Sequence, residues 1–212
     1  MTRDELQNAG PVAIIRAKQA PPLPEIVEAL LRGGIRAVEL TLTTPNALDG
    51  ATLLRRAYAD GLFVGIGSVL GAADARAAID AGAQFVVTPT VQPAAIELCR
   101  SAGVPIACGA MTPTEALAAH QAGADFVKLF PADTLGPGYV KSLLGPLPFL
   151  RIVPTGGVNK QNLPAFLAAG CVGVALGGNL VSADVLATHD WAKLEDDARE
   201  YVGIWAEARR LL

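Results

Sequence analysis

Four of the chain's Ala-Gly pairs, at 81–82, 102–103, 122–123 and 169–170, are each followed at once by a short apolar run. The spacings are 21, 20 and 47 residues, the last close to two periods. A glycine that ends a helix and delivers the chain into a β-rich run is the signature of a C-cap feeding a parallel strand. The runs after the pairs are QFVVTP at 84–89, VPIACG at 104–109, DFVKLFP at 125–131 and VGVALG at 172–177. The same period predicts strands at 11–16 (PVAIIR), 37–42 (AVELTL), 63–70 (FVGIGSVL) and 151–157 (RIVPTGG), for a total of eight. Helices are expected between them, around 24–33, 46–60, 72–82, 93–102, 113–122, 138–144, 161–169 and 190–211. Pro24, Pro93 and Pro113 stand near the first turns of theirs, where a helix tolerates proline.

Strict alternation of this kind fits a closed barrel or an open doubly wound sheet. The barrel is preferred: no GxGxxG follows the first strand, no long crossover interrupts the units, and no shift in composition marks a boundary. The expectation is an α/β fold, a (β/α)8 TIM barrel forming one domain over 1–212, with an extra N-terminal helix at 2–9 closing the barrel bottom.

Composition narrows the function classes. With 212 residues, 51% of them apolar, one core buries roughly 70% of the unfolded surface and no disulfide or structural metal is needed. Seventeen basic against 20 acidic residues leave a net charge of -3 and no basic run, and 11 aromatics offer few stacking platforms, so nucleic acid is not an expected partner. Cys99, Cys108 and Cys171 lack CxxC spacing, and His120 and His189 lie 69 residues apart, so no zinc site is expected. The stretch 161–183 has no charged residue, but Gln161, Asn162, Pro164 and the group GGN at 177–179 break it, so no membrane span is read there. MTRDELQNAG, at the start, has charges of both signs and no apolar run. A secretory leader is not expected, and the chain is read as cytoplasmic.

The chemistry emerges from the period of two along a strand. If Val38, Leu40 and Leu42 face the helices, then Ala37, Glu39 and Thr41 face the barrel interior. Likewise Val127 and Leu129 face outward, which turns Phe126, Lys128 and Phe130 inward. Strands two and six lie opposite each other, so a carboxylate and an amine converge in an apolar interior. Of the five lysines only Lys128 interrupts an apolar strand. A structural ion pair is one reading, although buried pairs seldom add net stability. The other is Schiff-base chemistry on a carbonyl substrate, with Lys128 as nucleophile and Glu39 as proton shuttle.

Two glycine pairs stand in the loops where such barrels hold phosphate: PTGGV at 154–158 after strand seven, with Thr155, Gly156 and Gly157, and LGGNL at 176–180 after strand eight, with Gly177, Gly178 and Asn179. Arg16, at the end of strand one on the face of Val12 and Ile14, could aim a guanidinium at a substrate carboxylate, and it equally fits an arginine lying along the rim. Ser68, in GIGSV at 65–69, could add a hydroxyl donor.

Over nearly its whole length the chain resembles the class I aldolases of 2-keto-3-deoxy-6-phosphogluconate (KDPG) and 4-hydroxy-2-oxoglutarate (KHG). The likeness is carried by VELTL at 38–42, GIGSVL at 65–70, FVKLFPA at 126–132 and PTGGV at 154–158. The resemblance implies that Lys128 forms the Schiff base and Glu39 transfers protons. It also brings Ser68, Pro89, Phe130 and Thr155 to Gly157 into substrate contact. It implies a homotrimer and reversible cleavage of a small 2-keto-4-hydroxy acid, KDPG and/or KHG, to pyruvate and a phosphorylated or unphosphorylated aldehyde, as in Entner–Doudoroff carbohydrate breakdown, with no metal or organic cofactor required. Two departures qualify it. Thr43 stands where some members have a carboxylate-binding arginine, while others carry one at the end of strand one, as Arg16 is here; Asn179 replaces a serine in the phosphate loop. Phosphogalactonate-type cleavage, a sugar-phosphate epimerase or isomerase, and a noncatalytic sugar-phosphate-binding barrel or scaffold remain as alternatives.

Overall fold

The computed structural model describes residues 2–59 and 61–211. A short helix, α1 (Arg3–Asn8), precedes eight parallel strands: β1 (Val12–Ile15), β2 (Ala37–Thr41), β3 (Phe63–Gly67), β4 (Phe85–Val87), β5 (Ile106–Ala110), β6 (Phe126–Leu129), β7 (Ile152–Pro154) and β8 (Ala175–Leu176). Each sequential pair from β1 to β7 is hydrogen bonded in parallel, and β8 pairs with β1. A parallel bridge between Thr155 and Ala175, with the Val172 N–H on the Ile152 carbonyl at 3.0 Å, brings β7 to β8 and closes the ring. The (β/α)8 barrel expected from the period is therefore the fold.

The helices between the strands are α2 (Leu23–Arg32), α3 (Ala47–Ala57), α4 (Ala72–Asp80), α5 (Pro93–Ala102), α6 (Pro113–Gln121), α7 (Ala132–Leu144) and α8 (Leu163–Ala168), followed by α9 (Ala183–Thr188) and α10 (Trp191–Arg210). The repeat has a backbone cause. Gly82, Gly103, Gly123 and Gly170 all have φ between 68° and 104°, the left-handed turn that a side chain disfavours and that redirects the chain from helix to strand. Two helices differ from expectation. The helix expected at 138–144 begins at Ala132, because two helical segments join across Gly136 (φ 70°) and Pro137. The single helix expected at 190–211 is preceded by α9, which Ser182 caps through its side chain and His189 ends in the left-handed region. The eighth strand shrinks from 172–177 to two residues.

The two faces of the strands divide the core. Val38, Leu40, Val127 and Leu129 join the large cluster under the helices. Ala37, Phe85, Val87 and Phe126 form a second cluster inside the barrel, and Leu6 of α1 enters it from below. A capping box between Thr2 and Glu5 fixes the start of α1, and Arg151 donates to Asp4 at 3.1 Å and to Gln7, tying this plug to the foot of β7. Among the described residues no helix is long and apolar enough to cross a membrane.

Candidate active site

Glu39 and Lys128 project into the barrel from β2 and β6, four strands apart in a ring of eight. They are 1% and 4% exposed. Together with Thr155 they line a narrow cavity of about 40 Å³ whose walls lower down are Leu6, Phe85 and Phe126. Across the sheet, Lys128 lies between Gly109 of β5 and Val153 of β7, and its Nζ stands 5.3 Å from the centre of the Phe130 ring. No ion pair within 4.0 Å joins Lys128 to Glu39 or to another carboxylate among the described residues. Oε1 of Glu39 has no hydrogen-bond partner among the described residues. A buried carboxylate oxygen left in this way costs the fold free energy instead of stabilising it. The structural ion-pair reading therefore loses its basis.

Glycines on the neighbouring strands make this placement possible. Gly65 and Gly67 of β3 follow the inward period of Phe63; a Cβ on Gly65 would stand 2.3 Å from the Phe85 ring, and one on Gly67 only 1.8 Å from Glu39 Oε1. The Glu39 carboxylate thus lies across the bare backbone of Gly67. On the other side of the barrel a Cβ on Gly109 would stand 2.2 Å from the Pro89 carbonyl, so this glycine lets the end of β4 approach β5. Sequence reasoning singled out Ser68 and Pro89 in these segments and missed Gly67 and Gly109. The available signal was the glycine doublet on one face of β3, since glycine inside a strand marks a close approach by another group.

The loops at the carboxyl ends of the strands carry the remaining candidates. Ser68 leaves β3 in the left-handed region (φ 63°), an unfavourable backbone for a non-glycine residue that marks the turn as constrained. After β7, Thr155 is buried, and Gly156 and Gly157 have φ of 87° and 71°. Gly156 packs on the Phe130 ring, where a Cβ would come within 3.2 Å; one on Gly157 would collide with Asp133 at 2.1 Å. The backbone N–H groups of Ala132 and Asp133 donate to the Thr155 and Gly156 carbonyls at 2.9 and 3.1 Å, seating this loop on the start of α7. After β8, Gly177 and Gly178 have open space where their side chains would be. The side-chain amide of Asn179 donates to the Val158 carbonyl at 2.8 Å, so it links the two glycine loops to each other.

Arg16 stands apart from this group. It is exposed and lines a groove of about 710 Å³ at the mouth with Lys18, Thr43, Leu186 and His189, not the cavity that contains Lys128 and Glu39. Thr43, the residue that replaces the arginine of other sequences, shares that groove. Among the described residues no group of three or more His, Cys, Asp or Glu is arranged to hold a metal ion.

The family model described as KDPG and KHG aldolase matches residues 3–196. The chain belongs to that aldolase family. Aldolases are lyases, and the chain is one of them. It is 37% identical over 198 residues to the 2-dehydro-3-deoxy-phosphogluconate aldolase of Treponema pallidum, covering 91% of this chain and 92% of that one. Among solved structures, native KDPGal superposes with a TM-score of 0.87 at 31% identity, covering 94% of this chain and 95% of that one. The KDPG aldolase of Legionella pneumophila, solved with pyruvate captured as a covalent carbinolamine, superposes at 0.86 with 25% identity, covering 95% and 98%.

Proposed function

We propose that this aldolase reversibly cleaves a 2-keto-4-hydroxy acid to pyruvate and an aldehyde through an imine on Lys128. The relatives' names support KDPG, giving glyceraldehyde 3-phosphate, and 4-hydroxy-2-oxoglutarate, giving glyoxylate, with 2-keto-3-deoxy-6-phosphogalactonate as the alternative. The observation that carries the reading is that Lys128 and Glu39 lie buried in one cavity, with Glu39 Oε1 lacking a hydrogen-bond partner among the described residues.

In the cleavage direction the Lys128 amine adds to the 2-keto carbon, and loss of water leaves a protonated imine conjugated to the bond between carbons 3 and 4. Glu39 takes the proton of the 4-hydroxyl as that bond breaks; the electron pair moves into the imine and the aldehyde departs. Glu39 then returns the proton to carbon 3 of the enamine, and water releases pyruvate. Apolar walls around Lys128 favour this chemistry, since they exclude bulk water from the imine. Arg16, swinging from the groove at the mouth toward the cavity when substrate binds, receives the substrate carboxylate with Ser68, and Pro89 and Phe130 confine the chain of carbons. Gly156, Gly157, Gly177 and Gly178 present backbone N–H groups to a phosphate at the far end, beside Thr155, with Asn179 holding the two loops in register. The protein is read as a cytoplasmic homotrimer, which light scattering in solution tests.

The test of the reaction class is reductive trapping. Incubation with pyruvate and borohydride should add one reduced pyruvyl group, mapped by mass spectrometry to Lys128, and Lys128→Ala should abolish both the label and cleavage. A sugar-phosphate epimerase would not be trapped by pyruvate, and labelling at another lysine would refute the assignment.

A further inference from the structure

β1 leaves the sheet at Ile15, whose register partner on β2 is Leu40. The next residue, Arg16, is exposed and lies beyond the last rung of the ladder. The peptide groups on either side of it are nevertheless held, and one hydroxyl holds both. Thr44 Oγ1 accepts the Ala17 N–H at 3.2 Å and donates to the Ile15 carbonyl at 3.4 Å. Thr44 is 4% exposed, buried just past the end of β2.

The same oxygen lies 3.1 Å from the hydroxyl of Thr41, which in turn lies 2.9 Å from that of Thr43. A hydroxyl has one proton and two lone pairs. With its proton on the Ile15 carbonyl, Thr44 accepts from Thr41; with its own proton so committed, Thr41 accepts from Thr43. The three threonines therefore form a chain of one polarity, running from exposed Thr43 through buried Thr41 and Thr44 to the backbone beside Arg16. Thr43 and Arg16 face the same groove, so both ends of the chain meet the place where a carboxylate would enter.

We propose that Thr44 is a positioning residue for Arg16: it clamps the two peptide groups that flank Arg16 and so fixes the root of the side chain that receives the substrate carboxylate. The inference rests on the reading of Arg16 given above. A flexible root would let the guanidinium sample more orientations, and ordering it on binding would weaken the substrate's hold. The bond-making groups are anchored separately, on β2 and β6. The effect therefore belongs in KM and not in kcat.

The experiment is a cycle of Thr44→Val, Thr44→Ser and Arg16→Ala, read as KM and kcat for pyruvate in the aldol direction. Valine keeps the shape and removes the hydroxyl with both of its bonds to the backbone, so KM should rise at least about fivefold with kcat within about twofold. Serine keeps the hydroxyl and should return KM to near its original value. Thr44→Val should add nothing in the Arg16→Ala background, because its effect passes through that guanidinium. Borohydride trapping at saturating pyruvate should give full labelling of Thr44→Val, which establishes that the barrel is intact. If Arg16→Ala raises KM but Thr44→Val does not, or if the two effects multiply, the positioning role is refuted while the clamp stands. A loss confined to kcat refutes it equally. If Arg16→Ala itself leaves KM unchanged, the clamp reading fails and takes this inference with it.

Discussion

The Glu39 carboxylate occupies the space in which a side chain at residue 67 would begin, and Gly67→Ala measures what that space is worth. The added Cβ would stand 1.8 Å from Oε1, 2.4 Å from Cδ and 2.7 Å from Cγ of Glu39. Ordinary contact begins at 3.4 Å, so the carboxylate must retreat by about 1.6 Å. The backbone of β3 cannot yield in its place. Ile66 is fully buried and paired with Leu40 on one side and Val86 on the other. Alanine is also compatible with the backbone here, since Gly67 does not have a positive φ. The perturbation therefore falls on one group. A misplacement of about 1 Å in a catalytic group costs about 100-fold, or about 2.7 kcal/mol of barrier, so kcat for cleavage should fall at least that far. KM for pyruvate and trapping by borohydride should change little, because Lys128 enters from the opposite wall. Deuterium exchange of the pyruvate methyl group isolates the proton transfer and should slow in proportion to kcat. A second substitution sharpens the test: Glu39→Asp shortens the side chain by one methylene, so in the Gly67→Ala background it should cost less than it does alone. If Gly67→Ala keeps methyl exchange within about threefold of the parent, Glu39 either tolerates displacement or is not the proton-transfer group, and the reasoning is refuted.

Other outcomes follow from contacts elsewhere. A Cβ at Gly33 would stand 2.4 Å from Ala198 Cβ and 2.7 Å from the Glu195 carbonyl, so Gly33→Ala should push α10 off α2 and cost about 1 to 3 kcal/mol by urea denaturation, with kcat unaltered at temperatures where it stays folded. An unchanged urea midpoint would mean that α10 shifts freely. Asn179→Ala frees the Val158 carbonyl and loosens the two glycine loops, so KM for a phosphorylated aldehyde should rise about tenfold; an equal rise with glyoxylate would refute a phosphate-specific role. Burial pushes the Asp197 carboxyl up, but hydrogen bonds from Lys160 and Lys193 outweigh it and hold the group below its ordinary value of 3.8. A depressed folded-state value stabilises the fold above 3.8, and the contribution is lost as pH falls through the folded-state value. Asp197→Asn should thus cost about 1 kcal/mol at neutral pH, discounted for the solvent on one side of the cluster, and the gap from the parent should close as pH falls below 3.8 and through the folded-state value. A gap that persists there would assign the loss to packing.

What could be read from the sequence divides along one physical line. Glu39 and Lys128 were legible because each breaks the apolar pattern of its own strand, and the period of two, fixed by the backbone, says which way it points. The four helix-ending glycines were legible for the same reason: the signal and its cause sit in one turn of chain. Local signals failed where short segments carry no period. The six residues of α9 are too few, and Gly136 and Pro137 read as breakers although helix lies on both sides of them. Gly67 and Thr44 were hidden differently. Glycine at a strand end and threonine just beyond one are unremarkable in sequence, and both obey their local pattern. Their roles come from groups brought alongside by parallel register: Glu39 on the strand next to Gly67, and the peptides flanking Arg16 beside Thr44. Parallel pairing joins residues some 25 positions apart, so no window of sequence contains both members of either pair. A chemical group thus shows itself by violating its surroundings, whereas the residues that make room for it or fix its root conform to theirs, and only the closed barrel brings the two kinds together.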